Sequence, residues 1–163
     1  MLIERAVVNA GPLVALSLIG RLDLLELFPE FWIPDVVFQE VAVAGIGRPG
    51  SSNLTEARWL KHVRSAPEAD PLLVVELDSG EAAVITLARH LSPCMAIIDE
   101  KRGRRIASRV YGLALKGTAG LLVEAQRRGL IEDVRTVLLD LKAAGYFLSE
   151  AVIDRACAAA RLT

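Results

Sequence analysis

The sequence is poor in soft metal ligands. Its two cysteines, Cys94 and Cys157, lie far apart with no CxxC pair, and there are only two histidines, which argues against a zinc site and against a disulfide framework. Both cysteines are expected to be buried as small apolar residues, in a reducing, cytoplasmic setting. Aromatic residues make up only 5% of the chain, and Trp32, Trp59, Tyr111 and Phe147 are too scattered to suggest a stacking platform, so they read as core or interface residues. Neither sign of charge is in excess. A formal net charge of -1 leaves no global basic field, so any polyanion has to be held by a local patch or through bound ions. No apolar run is long enough to span a membrane. The opening stretch MLIERAVVNAGPLVALSLIG is interrupted by Glu4, Asn9 and Pro12 and lacks an A-x-A site, which speaks against a signal peptide.

What the chain does have is core material. With 53% hydrophobic and 24% charged residues over 163 positions, it reads as one domain, residues 1–163. Short apolar runs alternate with helical patterns. Ile3 to Val8, FWIP (31–34), WLKHV (59–63), CMAII (94–98) and LALKG (113–117) are the candidate strands. Helices are expected over LVALSLIGRLDLLELF (13–28), PDVVFQEVAVA (34–44), LDSGEAAVITLARHL (77–91), KRGRRIASRVYG (101–112), TAGLLVEAQRRG (118–129), EDVRTVLLDLKAAG (132–145) and SEAVIDRACAAARL (149–162). Pro12 suits a first helical turn, Thr118 an N-cap, and Gly112 and Gly129 helix ends. GIGRPGSSN (45–53) is the one Gly/Ser/Pro-rich loop and the expected site of greatest mobility. Strands separated by helices imply an α/β fold with a parallel sheet and helices on both faces.

In such sheets ligands bind beyond the carboxyl ends of the strands. Asn9 closes the first strand and Asp99 the CMAII strand, so both should face one crevice. Glu40 and Glu81 come from early turns of helices and can reach the same place. Four oxygen-bearing side chains without His or Cys suit magnesium or manganese. Each residue also has a simpler reading. Asp78 and Glu81 fit a capping box, and Glu81 can serve both roles only if one of its oxygens stays free. Asn9 and Asp99 can serve local turns, Thr118 can be a helix cap, and Lys101, Arg102, Arg104 and Arg105 can be a solvated helix face.

Taken in order, VVNAGPLVALSLIGRLDLLELF, WIPDVVFQEV, LDSGEAAVITLA, AIIDEKRGRRIA and LKGTAGLLVEAQRRGLI resemble a PIN domain. They are especially similar to the prokaryotic branch related to toxin ribonucleases of the virulence-associated protein C type. The resemblance implies a three-layer α/β/α fold with a central parallel sheet of four to five strands. It also implies a Mg2+- or Mn2+-dependent ribonuclease, a homodimer, and a possible role as the toxin half of a toxin-antitoxin pair. Carried over by position, the metal ligands fall on Asn9, Glu40, Glu81 and Asp99, with Glu40, Glu81 and Asp99 catalytic and Glu100 and Thr118 auxiliary. Lys101, Arg102 and Arg105 would contact RNA phosphates. Asn9 departs from the aspartate usual at its position. A PIN-fold binding module with weak or lost catalysis is therefore the competing reading; a flavodoxin-like or receiver fold is disfavoured by the missing Gly-rich phosphate loop.

Overall fold

The computed structural model describes residues 2–43, 45, 47 and 54–162. Five strands form one parallel sheet in the order β3-β2-β1-β4-β5, with β1 Arg5–Val8, β2 Glu30–Pro34, β3 Val63–Arg64, β4 Met95–Ile97 and β5 Ala114–Lys116. The central strands carry apolar residues on both faces because both are covered: Ala6, Val7, Val8, Ala96, Ile97 and Ile98 are fully buried. Register is continuous across the middle, with Val8 opposite Ile97 and Ile97 opposite Lys116. Main-chain bonds extend it past the strand ends, from Asn9 N–H to Ile97 O and from Ile98 N–H to Lys116 O, each 3.0 Å. Helices lie on both faces, giving the expected three-layer α/β/α architecture.

The helices are α1 Ala10–Leu18, α2 Asp35–Phe38, α3 Ala57–Leu60, α4 Pro71–Glu76, α5 Ser79–His90, α6 Lys101–Arg109, α7 Thr118–Arg127, α8 Val134–Ala143 and α9 Glu150–Ala160. Pro12 sits in the first turn of α1, where its missing N–H costs nothing. Several boundaries differ from those expected. The helix predicted over 13–28 is split, because Gly20 takes φ +67° and lets the Arg21 N–H return to Leu16 O at 2.8 Å, closing α1; Leu22–Leu27 then forms a 3-10 turn. The helix predicted over 34–44 is α-helical only to Phe38 and continues as a π-helical turn over Gln39–Val43. Glu40 stands on that widened turn, a conformation that recurs at functional sites. Thr118 is the first residue of α7, and its N-cap is Gly117. α4 is not among the expected helices, although Asp70 followed by Pro71 is a helix-start signal. The predicted loop 45–53 lies outside the described residues except for Gly45 and Gly47.

The strand expected over 59–63 is a short helix followed by a two-residue strand. An aromatic cluster explains the difference. Trp59 is 3% exposed, and its ring lies 6.3 Å from that of Phe31, which in turn stacks on His62 at 3.8 Å. The helical turn aims Trp59 into the core, and only then does the His62 carbonyl reach the Ile33 N–H at 2.8 Å to begin the edge pairing. Cys94 and Cys157 are buried and free, as expected. Among the described residues no helix is long and apolar enough to cross a membrane. Trp59→Ala is expected to cost about 3–5 kcal/mol of unfolding free energy in a denaturant titration, as for other large buried aromatics.

Candidate metal centre

The strand order places a switch point between β1 and β4. The chain leaves β1 for β2 and β3 on one side and returns to β4 and β5 on the other, which opens a crevice at the carboxyl ends of the two central strands. A cleft of about 390 Å3 lies there. Asn9, Glu40 and Asp99 line it, as the sequence suggests, together with Asp78 and Glu100. The C-terminal connection between α8 and α9 adds Tyr146 and Phe147.

Glu81 joins this cluster from beneath. It is 5% exposed, and its Oε2 is buried with no hydrogen-bond partner. Carboxylate oxygens of Asp78, Glu81 and Glu100 lie within 4.8 Å of one another. Burial above all, and then the side chain and charge of Asp78 and the charge of Glu100, push the Glu81 carboxyl up to about 8. Burial and then the Asp78 charge also raise Glu40. Two glycines let these groups approach. A Cβ on Gly80 would lie 3.0 Å from Glu40 Oε2 and 3.4 Å from Asp78 Oδ1, so these two carboxylates meet over the first turn of α5. A Cβ on Gly103 would lie 2.6 Å from Glu81 Oε2, so α6 can pack here only because position 103 lacks one.

The capping reading of Asp78 is correct as far as it goes. Its Oδ1 accepts the Glu81 N–H at 2.8 Å, while Glu81 Oε2 stays free, the condition under which capping and ligation coexist. Asn9 is the N-cap residue of α1, yet its side chain makes no capping bond and lines the cleft instead. Asp99 is held from outside its own turn. Thr118 donates its N–H to Oδ1 at 2.7 Å and its hydroxyl to Oδ2 at 2.6 Å, and the Tyr146 hydroxyl also donates to Oδ2. Thr118 therefore orients Asp99, in line with the auxiliary role the resemblance implies, while the N-cap expected of it falls to Gly117.

Among the described residues no ion pair reaches Glu40, Asp78, Glu81, Asp99 or Glu100. The neighbouring cations are committed elsewhere or left in solvent. Arg104 donates to Ile98 O at 2.7 Å, Arg102 pairs with Glu76, and Lys101 and Arg105 are exposed beside a shallow hollow of about 310 Å3. Five acids thus gather without an ion pair to any cation of the described residues. An all-oxygen donor set with an unpartnered buried carboxylate oxygen fits a hard divalent ion.

The chain matches the PIN-domain family model over residues 5–161. It belongs to the PIN-domain family. Neither the curated proteins nor the solved structures contain a significant match. The PIN fold is a nuclease-type fold, and Asp78, Glu81 and Glu100 form an acidic cluster able to hold a metal.

Sequence reasoning missed three side chains of this PIN domain's cleft, Asp78, Tyr146 and Phe147; Phe147, expected as a core or interface residue, is 90% exposed. Asp78 was absorbed by its cap role. Tyr146 carries no local signal, since its partner lies 47 positions away.

The raised Glu81 carboxyl sets a pH dependence for the metal-free protein. The folded state holds this proton more tightly than the unfolded chain does, so stability is fully present below about pH 4.5 and falls as pH rises toward about 8. Glu81→Gln removes the ionisation. It is expected to flatten this part of the pH profile and to raise the thermal midpoint at pH 8 by several degrees, at roughly 2–4 °C per kcal/mol for a chain of this size. Differential scanning calorimetry in chelator from pH 5 to 8 measures both effects.

Proposed function

We propose that the chain, acting as one domain over residues 1–163, is a divalent-metal-dependent endoribonuclease. The observation that carries this reading is the buried Oε2 of Glu81, without a hydrogen-bond partner, among carboxylates that no cation of the described residues pairs with. Glu81, Glu40, Asp99 and Asn9 would hold Mg2+ or Mn2+, with Glu100 and Asp78 beside them. Bound there, the ion would lower the pKa of a water nucleophile and stabilise charge on the phosphodiester oxygens. Asp99 is prepared for this by Thr118 and Tyr146, which fix both its oxygens: Oδ2 accepts two hydrogen bonds and Oδ1 only one, so Oδ1 keeps a lone pair for a cation. Glu40, exposed on its π-helical turn, faces the solvent side of the cleft, where a substrate enters. Lys101 and Arg105 are free to meet phosphates flanking the cleaved bond, and Arg102 can do so by leaving its exposed pairing with Glu76.

The relation to toxin ribonucleases of the virulence-associated protein C type, inferred from sequence, extends this reading to a cytoplasmic toxin. It would form a homodimer and be restrained by an antitoxin protein. One observation favours a second reading, a binding module with weak catalysis. Asn9 brings a dipole to the cleft where a carboxylate would bring a full charge, and hard ions are held largely by charge count.

Asn9→Asp separates the two. Isothermal titration with magnesium and manganese is expected to show weak binding by the native protein and binding tighter by roughly tenfold in Asn9→Asp. Cleavage of single-stranded RNA at subsaturating magnesium should rise with it. Equal affinities would remove position 9 from the ligand set, tighter binding without cleavage by either protein would favour the binding module, and no binding of either ion would overturn the nuclease reading.

A further inference from the structure

Phe147 is 90% exposed, the most exposed of the large hydrophobic side chains among the described residues. Its position makes that unusual. The ring lies on the wall of the acidic cleft, beside Tyr146 and Asp99, and no other aromatic ring of the described residues stacks on it.

The residues on either side are anchored. The Tyr146 N–H bonds to Leu141 O at 3.0 Å and its hydroxyl to Asp99, and Gly145 takes φ +97° to make the turn. On the other side Leu148 packs against the core, and Ser149 caps α9 through the Val152 N–H at 3.2 Å. Phe147 is therefore an apolar face presented to solvent by an anchored backbone, at a cleft lined by the four carboxylates of Glu40, Asp78, Asp99 and Glu100 with Glu81 beneath. An apolar protein segment is a poor occupant for a cleft so acidic. A nucleobase fits better, because its flat face can stack on a phenyl ring while the adjoining phosphates can reach a divalent ion that the acids would hold and Lys101 and Arg105 on α6, which begins right after Glu100 of the cleft wall.

We propose that Phe147 is a stacking residue that receives one unpaired base of a single-stranded RNA at the mouth of the metal cleft. The inference takes its substrate class from the nuclease reading. It deepens that reading, since a base on Phe147 requires a strand whose bases are free and disfavours a duplex.

The probe is a short single-stranded oligoribonucleotide carrying 2-aminopurine, mixed with the full chain and manganese in a stopped-flow instrument so that binding is read before turnover. The native protein is expected to quench the probe and to prefer it to the same sequence in a duplex. Phe147→Trp should retain both properties. Phe147→Ala and Phe147→Leu should lose the quench and bind about tenfold more weakly, with an unchanged thermal midpoint, because so exposed a ring contributes little to the core. The leucine variant keeps apolar area but has no π face, so loss in both variants identifies stacking. Unchanged quench and affinity in Phe147→Ala overturn the proposal while metal-dependent cleavage keeps the nuclease reading intact. A change in sedimentation of Phe147→Ala with unchanged RNA binding also overturns it, in favour of a protein interface. A Phe147-dependent quench without cleavage supports the stacking role and removes the nuclease reading. No binding by the native protein overturns both.

Discussion

Glu81 is buried, and among the described residues no cation pairs with it; much of the structure follows from that. A charged group taken out of water needs a partner or a proton, and no Lys or Arg of the described residues forms an ion pair here. The carboxyl responds by holding its proton up to about pH 8. The absence of a Cβ at Gly103 makes room for its Oε2, and the cap by Asp78 fixes the first turn of α5 that carries it. A sequence optimised for stability alone would replace it with an apolar residue of similar volume, so the chain keeps an energetic cost at the place where the sheet topology puts a ligand crevice.

Two kinds of acid divide the work in that crevice. Asp99 accepts three hydrogen bonds, from Thr118 and Tyr146, and these tie β4, α7 and the C-terminal connection into one rigid corner. Glu81, Asp78 and Glu100 are crowded and underpaired, so they supply the unfilled demand for positive charge. Rigidity comes from the first and affinity from the others. Exposed ion pairs on the rest of the surface, such as Arg5 with Glu30 or Lys142 with Glu150, have no part in this balance and contribute little in high dielectric.

The fold was largely legible in the sequence because its signals are local. Apolar runs at Val7 and Ile97, Pro12 in a first turn and Gly129 past a helix end each act within a few residues, and together they imply a parallel sheet. Errors arose where tertiary packing overrides the local pattern. Trp59 reads as part of a strand, yet the Phe31 and His62 rings require it on a helical turn. Leu22 to Leu27 continues a leucine pattern, but Gly20 had already closed the helix. At the site, Asn9, Glu40, Asp99 and Glu100 could be placed in one cleft, with Glu81 just beneath, because strand ends and first helical turns are predictable locations. Tyr146 and Phe147 could not be. They arrive from a connection between helices whose docking is decided by the packing of α7, α8 and α9 against one another.

The same packing bears on the missing carboxylate at position 9. A cleft that has an amide in place of one acid loses a unit of negative charge, and on the metal reading that weakens its hold on a divalent ion. Asp78 stands close enough to Glu81 and Glu100 to return that charge from another direction, from the turn before α5 instead of the end of β1. Asn9 keeps its place beside Asp99 without adding repulsion to the two carboxyls already raised nearby, Glu40 and Glu81. On the metal reading the amide at position 9 and the unpartnered oxygen at position 81 leave the carboxylate charge concentrated on the Glu81 side of the cleft. A cation that enters the cleft would be drawn first to the buried end, where solvent screens it least.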